Sequence, residues 1–397
     1  MWVTNIAEIA LYTFAFLSIY VQVFFLFTFL ERRKKIMYRN GVQPLDEYPN
    51  VTVVVPCWNE ENTIARTVAS LLELEYPADK LEIFLVDDGS TDKTWEVMQE
   101  YAKNPRIKIF HKENGGKHTA MNYGIQNSTS PFVSCLDADS FVDKYALSRM
   151  MLFFKDPTVM SVSPSIIVDN PKTLIQHAQK AEYQWAKFIK KMLAFVGGIH
   201  VTPGPFSIYR REIFDKIGMF RKAHNTEDME IAYRMQKHHM KIEQCNDAYV
   251  YTVSPNTVGK LYTQRLRWIH GFIRNTYDYR SILFQKKYGT FSIFTVPSGI
   301  ISVVSTITLF FYSAYHFFNF IYMKALSIWT VGFQPQNFKL SFEWFFVGAD
   351  LTKFLLITLY ALLISAIILG HRMVERNYKI TWNIIPFMVI YSIIAPF

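Results

Sequence analysis

The stretch VTVVVPCWNEENTIARTVASLLELEYPADKLEIFLVDDGSTD, residues 51–92, decides the fold of the central part of the chain. Two short apolar runs, Val51–Val55 and Glu82–Val86, lie on either side of the amphipathic pattern of Glu60–Leu74. Such runs predict strands, whereas apolar residues that recur every three or four positions predict a helix. A strand, a helix and a second strand in this order indicate a parallel pair joined by a crossover.

The same alternation continues toward the C-terminus. Thr91–Tyr101 and Lys117–Gln126 are predicted helices, and Ile107–Phe110 and Phe132–Leu136 are predicted strands. Alternating strands and helices are typical of an α/β domain with a parallel sheet. No GxGxxG follows the first strand and no P-loop is present, which disfavours a dinucleotide-binding fold. The sequence therefore predicts a Rossmann-like α/β domain.

Polar side chains collect where three of these strands end. They are Asn59, Glu60, Asp87, Asp88, Asp137 and Asp139. In open α/β sheets the ligand crevice lies outside the carboxyl ends of the strands, so we expect these residues to share one site. Taken alone, each cluster is also explained as a solvated turn or a helix N-cap, particularly DDGSTD at residues 87–92.

Asp137 and Asp139 end the apolar run of FVSCLDADSF, Phe132–Phe141. On an extended chain both carboxylates point to the same side, where at about 4 Å they repel by roughly 4 kcal/mol at an effective dielectric near 20. A cation between them, or a proton on one, would remove that repulsion. Carboxylates suit Mg²⁺ or Mn²⁺, which a phosphate-bearing ligand would need here. Lys117, on the glycine-rich turn NGGK, adds a positive charge at a helix start, where backbone N–H groups favour anions.

The segment NTEDMEIAYRM, Asn225–Met235, places Thr226, Glu227 and Asp228 at the start of a predicted helix. Two interpretations stay open for this cluster. It is either a set of capping residues, or it contains a general base, Asp228, that takes a proton from an attacking hydroxyl.

Farther on, TQRLRWIHG at residues 263–271 places Gln264, Arg267 and Trp268 on one face of a helix. Such a face offers a hydrogen-bond donor, a phosphate-binding guanidinium and a flat ring to the crevice. Leu261, Leu266, Ile269, Phe272 and Ile273 supply apolar surface beside it.

An earlier predicted helix, AEYQWAKFIKKMLAFV at residues 181–196, carries an apolar stripe and a side marked by Lys187, Lys190 and Lys191. This pattern suits a helix that lies in the membrane surface, and it equally suits ordinary core packing. Both interpretations stay open.

Long apolar segments flank this domain. Ile9–Leu30 has no charge and exceeds the roughly 20 residues that a helix needs to cross a bilayer. Because basic residues follow this segment, it is predicted to be an uncleaved anchor and not a signal peptide. The other predicted spans are within Phe291–Met323, about Phe346–Gly370 and Thr381–Phe397.

The placement of Lys and Arg predicts the orientation in the membrane. The residues predicted to be cytoplasmic are Arg32–Lys35, Lys286, Lys287, Arg372, Arg376 and Lys379, against Lys324 and Lys339 outside. We therefore expect a multi-pass protein of the plasma (inner) membrane. Its parts would be an anchor at 1–35, a cytoplasmic domain at 36–285 with interface helices near 176–196 and 261–280, and about three spans at 286–397.

The net charge of +9 and the pI near 9.2 do not indicate nucleic-acid binding, because many basic residues flank the predicted spans. We expect no nucleic-acid partner. Cys57, Cys135 and Cys245 lack paired spacing, so they are predicted to be reduced packing residues.

Four motifs in order carry a resemblance: DDGS at 87–90, DADS at 137–140, TED at 226–228 and QRLRW at 264–268. Together they resemble the membrane-bound processive family 2 glycosyltransferases, which include cellulose, chitin, hyaluronan and poly-N-acetylglucosamine synthases. The resemblance covers about Val51 to Trp268 and fits the flanking spans. It implies a GT-A fold for the cytoplasmic domain, a UDP-sugar donor and Mg²⁺ or Mn²⁺ as cofactor.

The resemblance also implies roles for single residues. Asp228 is implied as the catalytic base, with Glu227 beside it, and Asp139 as the metal ligand. The implied nucleotide-sugar contacts are Glu60, Asp87, Asp88, Lys117, Asp137, Gln264, Arg267 and Trp268. Of these, the first three would hold the uridine, and the last three would clamp the diphosphate and support the acceptor.

The expected function is inverting, metal-dependent transfer of a sugar from a UDP-sugar to a growing β-linked polysaccharide, carried out processively at the cytoplasmic face of the membrane. The alternative is transfer of one sugar to a polyprenyl-phosphate or another lipid acceptor. A third hypothesis, from another class, is a catalytically silent membrane scaffold or transporter subunit. The expected partners are the UDP-sugar, a polysaccharide or lipid-linked acceptor and the bilayer, with accessory subunits left open.

Overall fold

The computed structural model describes residues 2–37, 45–332, 351–373 and 382–394. These residues fall into two compact units. The first contains the chain up to Phe27 together with Ser298–Ser365, and the second contains Thr28–Pro297 together with Ala366–Ala395.

The second unit is built around one sheet of eight strands among the described residues. The strands are β1 (Val51–Cys57), β2 (Leu81–Asp87), β3 (Ile107–His111), β4 (Phe132–Cys135), β5 (Ser140–Val142), β6 (Val159–Val168), β7 (Ser207–Arg210) and β8 (Lys241–Thr252). The helices of the described chain are α1 (Trp2–Met37), α2 (Ile64–Leu72), α3 (Thr94–Gln99), α4 (Lys117–Asn127), α5 (Ala146–Met151), α6 (Leu174–Phe195), α7 (Glu212–Ile217), α8 (Glu227–Lys237), α9 (Val258–Asp278), α10 (Val296–Val331), α11 (Leu351–Arg372) and α12 (Ile384–Ile394).

The order of strands in the sheet is β3-β2-β1-β4-β7-β6-β8-β5. β1 pairs in parallel with both β2 and β4, and β2 pairs in parallel with β3. The predicted parallel arrangement is therefore confirmed for the first four strands. Since the chain moves outward from β1 in one direction to β3 and then returns to the other side at β4, the crevice of a doubly wound sheet should open between β1 and β4.

The second half of the sheet is mixed, which the sequence did not predict. β7 runs antiparallel to β4 and β6, whereas β6 and β8 pair in parallel with two register irregularities. The alternating pattern of β6 is interrupted at Ser163 and Pro164, and Ile242 is the one apolar residue among the first four of β8. Because these strands are defined by their partners, local apolar periodicity gave no signal for them.

Helix α6 packs within the second unit, against the sheet on one side and α12 on another. Lys187 and Lys191, predicted to mark a polar side, are buried, and the Lys191 Nζ donates a hydrogen bond to the Gln244 carbonyl at 2.7 Å. Core packing therefore accounts for these two lysines. An interfacial position for α6 stays a prediction.

Thr257 is the N-cap of helix α9, and its side chain accepts a hydrogen bond from the Lys260 amide. The exposed apolar residues of this helix lie on one stripe, and they are Val258, Tyr262, Leu266, Ile273 and Tyr277. A continuous exposed apolar stripe is typical of a helix in a membrane surface. That position for α9 also stays a prediction.

Three helical segments among the described residues are long and apolar enough to cross a membrane: Glu8–Ile36, Phe291–Val331 and Phe354–Arg372. They cover the first three predicted spans, although residues 346–350 of the third lie outside the described residues. Of the fourth predicted span, the described part contains the 11-residue helix α12, while 381 and 395–397 lie outside. Three residues used to predict orientation, Lys339, Arg376 and Lys379, also lie outside the described residues.

Candidate active site

Lys117, the first residue of α4, joins two motifs that are distant in sequence. Its Nζ lies 2.6 Å from Oδ1 of Asp137, at the end of β4, and 3.1 Å from Oε1 of Glu227, at the start of α8. Gly204 makes this approach possible, because a Cβ there would lie 2.9 Å from the lysine Nζ and 3.2 Å from the Asp137 carboxylate. One cation thus holds the DADS and TED segments at the same crevice.

The charges around Lys117 set its protonation. Burial alone would lower the pKa of Lys117, but Asp137, Glu227 and Asp228 raise it well above its ordinary value. Burial would raise the pKa of Glu227, but the charge of Lys117, hydrogen bonds and the charge of Arg267 together lower it. Lys117 is therefore a permanent cation at neutral pH and Glu227 a permanent anion.

Asp139 faces other carboxylates. Burial, followed by the charges of Asp137 and Glu60, raises the pKa of Asp139 to about 6, while a hydrogen bond from the Ser140 hydroxyl at 3.1 Å opposes the shift. Burial also raises the pKa of Glu60, whose carboxylate accepts a 2.5 Å hydrogen bond from Thr63. The ends of β1 and β4 therefore present a group of carboxylates that is short of positive charge.

Asp228 occupies a buried position beside Glu227. Burial and the charge of Glu227 raise the pKa of Asp228 to about 6, partly offset by Lys117 and by a 2.9 Å hydrogen bond from the Met229 amide. The Asp228 carbonyl accepts hydrogen bonds from the amide and the hydroxyl of Thr202. A carboxylate whose pKa lies near neutrality and whose backbone is fixed is suited to act as a general base.

Asp87, the last residue of β2, and Asp88, which follows it, are both buried. The carboxylate of Asp88 accepts hydrogen bonds from Lys112 Nζ at 2.5 Å and from the amides of Gly115 and Gly116. Asp87 is fully buried, with its Oδ2 2.6 Å from the His111 ring. Both aspartates thus organise the loop before α4, which lies at the neighbouring strand end, and their contact with a uridine stays a prediction.

The QRLRW motif lies on α9 and faces α6. Gln264 accepts a 2.7 Å hydrogen bond from Gln179, and Arg265 forms a bidentate ion pair with Glu182. The Arg265 guanidinium also covers the ring of Trp268 at 4.3 Å. These contacts fix the orientation of the motif relative to α6.

Arg267, by contrast, is exposed at the edge of the site. It lines a groove of about 1060 Å³ together with Ala223, His224 and Asn225, and its charge contributes to the lowered pKa of Glu227. Its guanidinium is therefore accessible to an anion near the TED segment.

The structure therefore brings most predicted residues together. Those gathered at the crevice between β1 and β4 are Glu60, Lys117, Asp137, Asp139, Glu227 and Asp228. Asp87 and Asp88 lie at the adjacent strand end, while Gln264 and Trp268 contact α6.

Sequence reasoning missed the contribution of α6. The charges of Glu182, Arg265, Asp139 and Arg267 act on Tyr183, so this side chain lies among the site residues. Burial lowers the pKa of Lys190 to about 7, and the charge of Asp228 opposes that shift. The available signal was helical spacing, because Tyr183 and Lys190 lie on the same helix face.

The predicted cation can be tested against these side chains. Among the described residues, no three His, Cys, Asp or Glu side chains are placed to hold a metal ion by themselves. Mg²⁺ and similar ions, however, are commonly held by one or two carboxylates and by the phosphates of a substrate. The carboxylates of Asp139 and Asp137 fit a cation whose remaining ligands come from the diphosphate of the substrate.

Comparison with known proteins finds a family match over part of the chain. Residues 52–218 match the family model described as Glycosyl transferase family 2. Poly-beta-1,6-N-acetyl-D-glucosamine synthase of Staphylococcus aureus (strain MSSA476) is 30% identical over 265 residues, which cover 64% of this chain and 63% of the relative. The protein of the same name from Staphylococcus epidermidis is 29% identical over 263 residues, with the same coverage. The chain thus spans less than two thirds of the length of these curated relatives.

A solved structure supports the fold. The mannosyltransferase of Pyrobaculum calidifontis, determined in complex with GDP-Man and Mn²⁺, matches with a TM-score of 0.58 and 18% identity, over 90% of this chain and 99% of that chain. With the family match, this likeness confirms the predicted GT-A class of the α/β domain.

Proposed function

We propose that this chain, whose residues 52–218 form a glycosyltransferase family 2 domain, transfers a sugar from a UDP-sugar to a growing β-linked polysaccharide. The transfer inverts the anomeric configuration and is processive, at the cytoplasmic face of the plasma membrane. The observation that supports this best is Lys117, which bridges Asp137 and Glu227 and so places the donor-binding and base-bearing segments in one crevice.

Asp228 acts as the base. Its pKa of about 6 leaves it ionised at neutral pH, yet basic enough to accept the proton of an acceptor hydroxyl. That hydroxyl oxygen then bonds to the anomeric carbon while the bond to the leaving diphosphate breaks. Inversion follows because attack comes from the face opposite the leaving group.

Lys117 and Arg267 stabilise the charge that develops on the departing diphosphate. Lys117 lies at the crevice and Arg267 is exposed at its edge. Asp139, with Asp137, would hold Mg²⁺ or Mn²⁺, which supplies further positive charge to the diphosphate when bound.

A polysaccharide acceptor is supported by the curated relatives, which are named as poly-beta-1,6-N-acetyl-D-glucosamine synthases. UDP-N-acetylglucosamine is therefore the first donor to test. The three candidate spans and the exposed apolar stripe of α9 support a catalytic domain held at the bilayer.

The test uses membranes containing the full chain, supplied with single UDP-sugars and Mg²⁺ or Mn²⁺. Release of UDP identifies the donor, and gel filtration of the radiolabelled product determines its size. We expect long, water-soluble polymer from at least one donor, and near-total loss of UDP release in the Asp228→Asn variant. Asp215→Asn, at an exposed position of α7, is the matched control.

Four results would contradict this proposal in different ways. Label that extracts into chloroform would indicate a lipid acceptor in place of a polysaccharide. Products with one added sugar would exclude processive transfer. Unchanged UDP release in Asp228→Asn would exclude Asp228 as the general base. No UDP release from any donor would favour the scaffold hypothesis.

A further inference from the structure

The segment that leads into the TED motif has an unusual backbone. Ala223, His224 and Asn225 have φ values of +41°, +56° and +60°, so three successive residues with side chains lie in the left-handed region. Side chains other than glycine rarely adopt this conformation, and consecutive cases persist only where the surroundings impose them. Thr226, Glu227 and Asp228 follow directly, so the contacts that fix this turn also fix the start of the segment that carries the proposed base.

Thr226 connects the turn to its surroundings. Its hydroxyl donates a 2.9 Å hydrogen bond to the Ala223 carbonyl and accepts one of 2.9 Å from Asn275 Nδ2. Both Thr226 and Asn275 are buried. Because the Thr226 hydroxyl donates its proton to the Ala223 carbonyl, its oxygen can only accept from residue 275. The NH2 group of the Asn275 side chain is the donor that this requires. The Thr226 side chain therefore does not cap α8 but joins the turn to α9.

Gly271 lets α9 approach this threonine. A Cβ at residue 271 would lie 2.8 Å from the Thr226 Cβ and would overlap its hydroxyl and methyl groups. Real Cβ atoms do not approach so closely, and the neighbouring atoms are not the ends of a flexible chain. On the same helix, a Cβ at Gly259 would meet nothing within 4 Å.

We propose that Gly271 and Asn275 are positioning residues that hold Asp228 in place through Thr226. They lie four and eight residues after Arg267, so all three occupy one strip of α9. The helix that presents a guanidinium to the diphosphate thus also fixes the turn that carries the base. This inference rests on the proposed function, and it assigns to α9 a second role in the same reaction.

The test compares Gly271→Ala with Gly259→Ala in membranes containing the full chain. Displacement of Thr226 moves Asp228, and a misplacement of about 1 Å costs on the order of 100-fold in rate. We expect Gly271→Ala to lower kcat by roughly 10- to 100-fold, with the KM for the donor and the affinity for UDP unchanged. Gly259→Ala should match the unmodified protein in all three quantities.

Two further variants keep the inference testable if Gly271→Ala does not fold. Thr226→Val retains the shape and loses the hydroxyl, whereas Thr226→Ser retains the hydroxyl. We expect a lower kcat in Thr226→Val, recovery in Thr226→Ser, and no further loss when Asn275→Leu is added to Thr226→Val, because both changes break one hydrogen bond.

The outcomes separate the two proposals. If the unmodified chain uses no nucleotide sugar, the proposed function and this inference both fail. If it is active while Gly271→Ala and Thr226→Val keep full kcat, only the positioning role is wrong. A proportional change in donor KM would likewise overturn it, because it would place the effect in donor binding and not in the base.

Discussion

Asp228 lies among several charged and titratable groups, which together set its proton affinity. Those groups are Glu227, Lys117, Asp137, Lys190 and Tyr209. Burial and the like charge of Glu227 dominate and raise the pKa of Asp228 to about 6. The proposed base must be ionised to accept a proton. Acid therefore inactivates it at a higher pH than it would an exposed aspartate.

The first prediction concerns the pH profile of kcat. Because protonated Asp228 cannot act as a base, kcat should fall as the pH decreases through about 6, by roughly tenfold for each further unit. Lys190→Met removes a cation that favours ionised Asp228, so the acidic limb should move to higher pH.

Lys103→Met, at an exposed position, is the control for this shift and should leave the profile unchanged. UDP release at a series of pH values, with saturating donor, measures the acidic limb of the kcat profile. An acidic limb that lies near pH 4 in the unmodified protein would exclude Asp228, with its raised pKa, as the titrating base.

A second prediction at this scale concerns the cation. Asp139→Ala should abolish the dependence of UDP affinity on Mn²⁺ while leaving the thermal unfolding temperature close to that of the unmodified protein, because Asp139 faces other carboxylates that repel it. Asp79→Ala, at an exposed turn, is the control. Titration calorimetry measures both affinities, and unchanged affinity for UDP with Mn²⁺ in Asp139→Ala would exclude Asp139 as a ligand.

The positions of some site residues could be predicted from the sequence, whereas the partners of others could not. The sequence predicted that Asp137 lies at a crevice, and the structure places it at the end of β4. The prediction was possible because a residue that follows a buried parallel strand emerges at the carboxyl edge of the sheet. The partners of Asp88 were not foreseen, because Lys112 reaches it through a loop whose path depends on Gly115 and Gly116. Loop geometry of this kind leaves no periodic pattern in a sequence.

At the scale of elements, the pairing of α6 with α9 orients the QRLRW motif. Glu182 and Arg265 are largely buried and form a bidentate pair between these helices. The same guanidinium covers Trp268. A buried charge that loses its partner is destabilising by about 3–5 kcal/mol, far more than an exposed pair.

Arg265→Ala should therefore lower the unfolding temperature of the detergent-solubilised protein by several degrees. It should also reduce UDP release, because Trp268 loses the group that holds it. Arg274→Ala, an exposed arginine on the same helix, should change neither quantity. Equal unfolding temperatures for the two variants would show that the pair contributes little to stability.

The strands of the first half of the sheet and the helices α6, α8 and α9 were predicted, whereas the strands β6 and β8 were not. The predicted strand Val51–Val55 became Val51–Cys57, and Ile107–Phe110 became Ile107–His111. These strands are apolar and separated by helices, so local pattern suffices. The strands β6 and β8, in contrast, are defined by long-range partners and irregular register, which no local pattern reports.

At the scale of the whole molecule, the proposed orientation places residues 36–285 on the cytoplasmic side. The three cysteines of the chain are buried, so labelling of the unmodified protein by a membrane-impermeant thiol reagent should be low. A single introduced cysteine then reports the side of the membrane on which it lies.

Asp79→Cys should be labelled in inverted vesicles and not in intact cells, because Asp79 lies at an exposed turn of the catalytic domain. Lys324→Cys, predicted to be on the other side, should show the opposite pattern. Labelling of Asp79→Cys in intact cells would reverse the proposed topology.

Lys117 supplies the crevice with a positive charge that no chelator can remove. An exchangeable ion at Asp139 would leave with EDTA, whereas the ammonium between Asp137 and Glu227 belongs to the polypeptide. Metal depletion should thus weaken the hold on a nucleotide without letting the two motifs separate. In the proposed reaction, Lys117 therefore holds the two motifs together with or without a metal ion, whereas the exchangeable ion contributes only to the binding of the pyrophosphate.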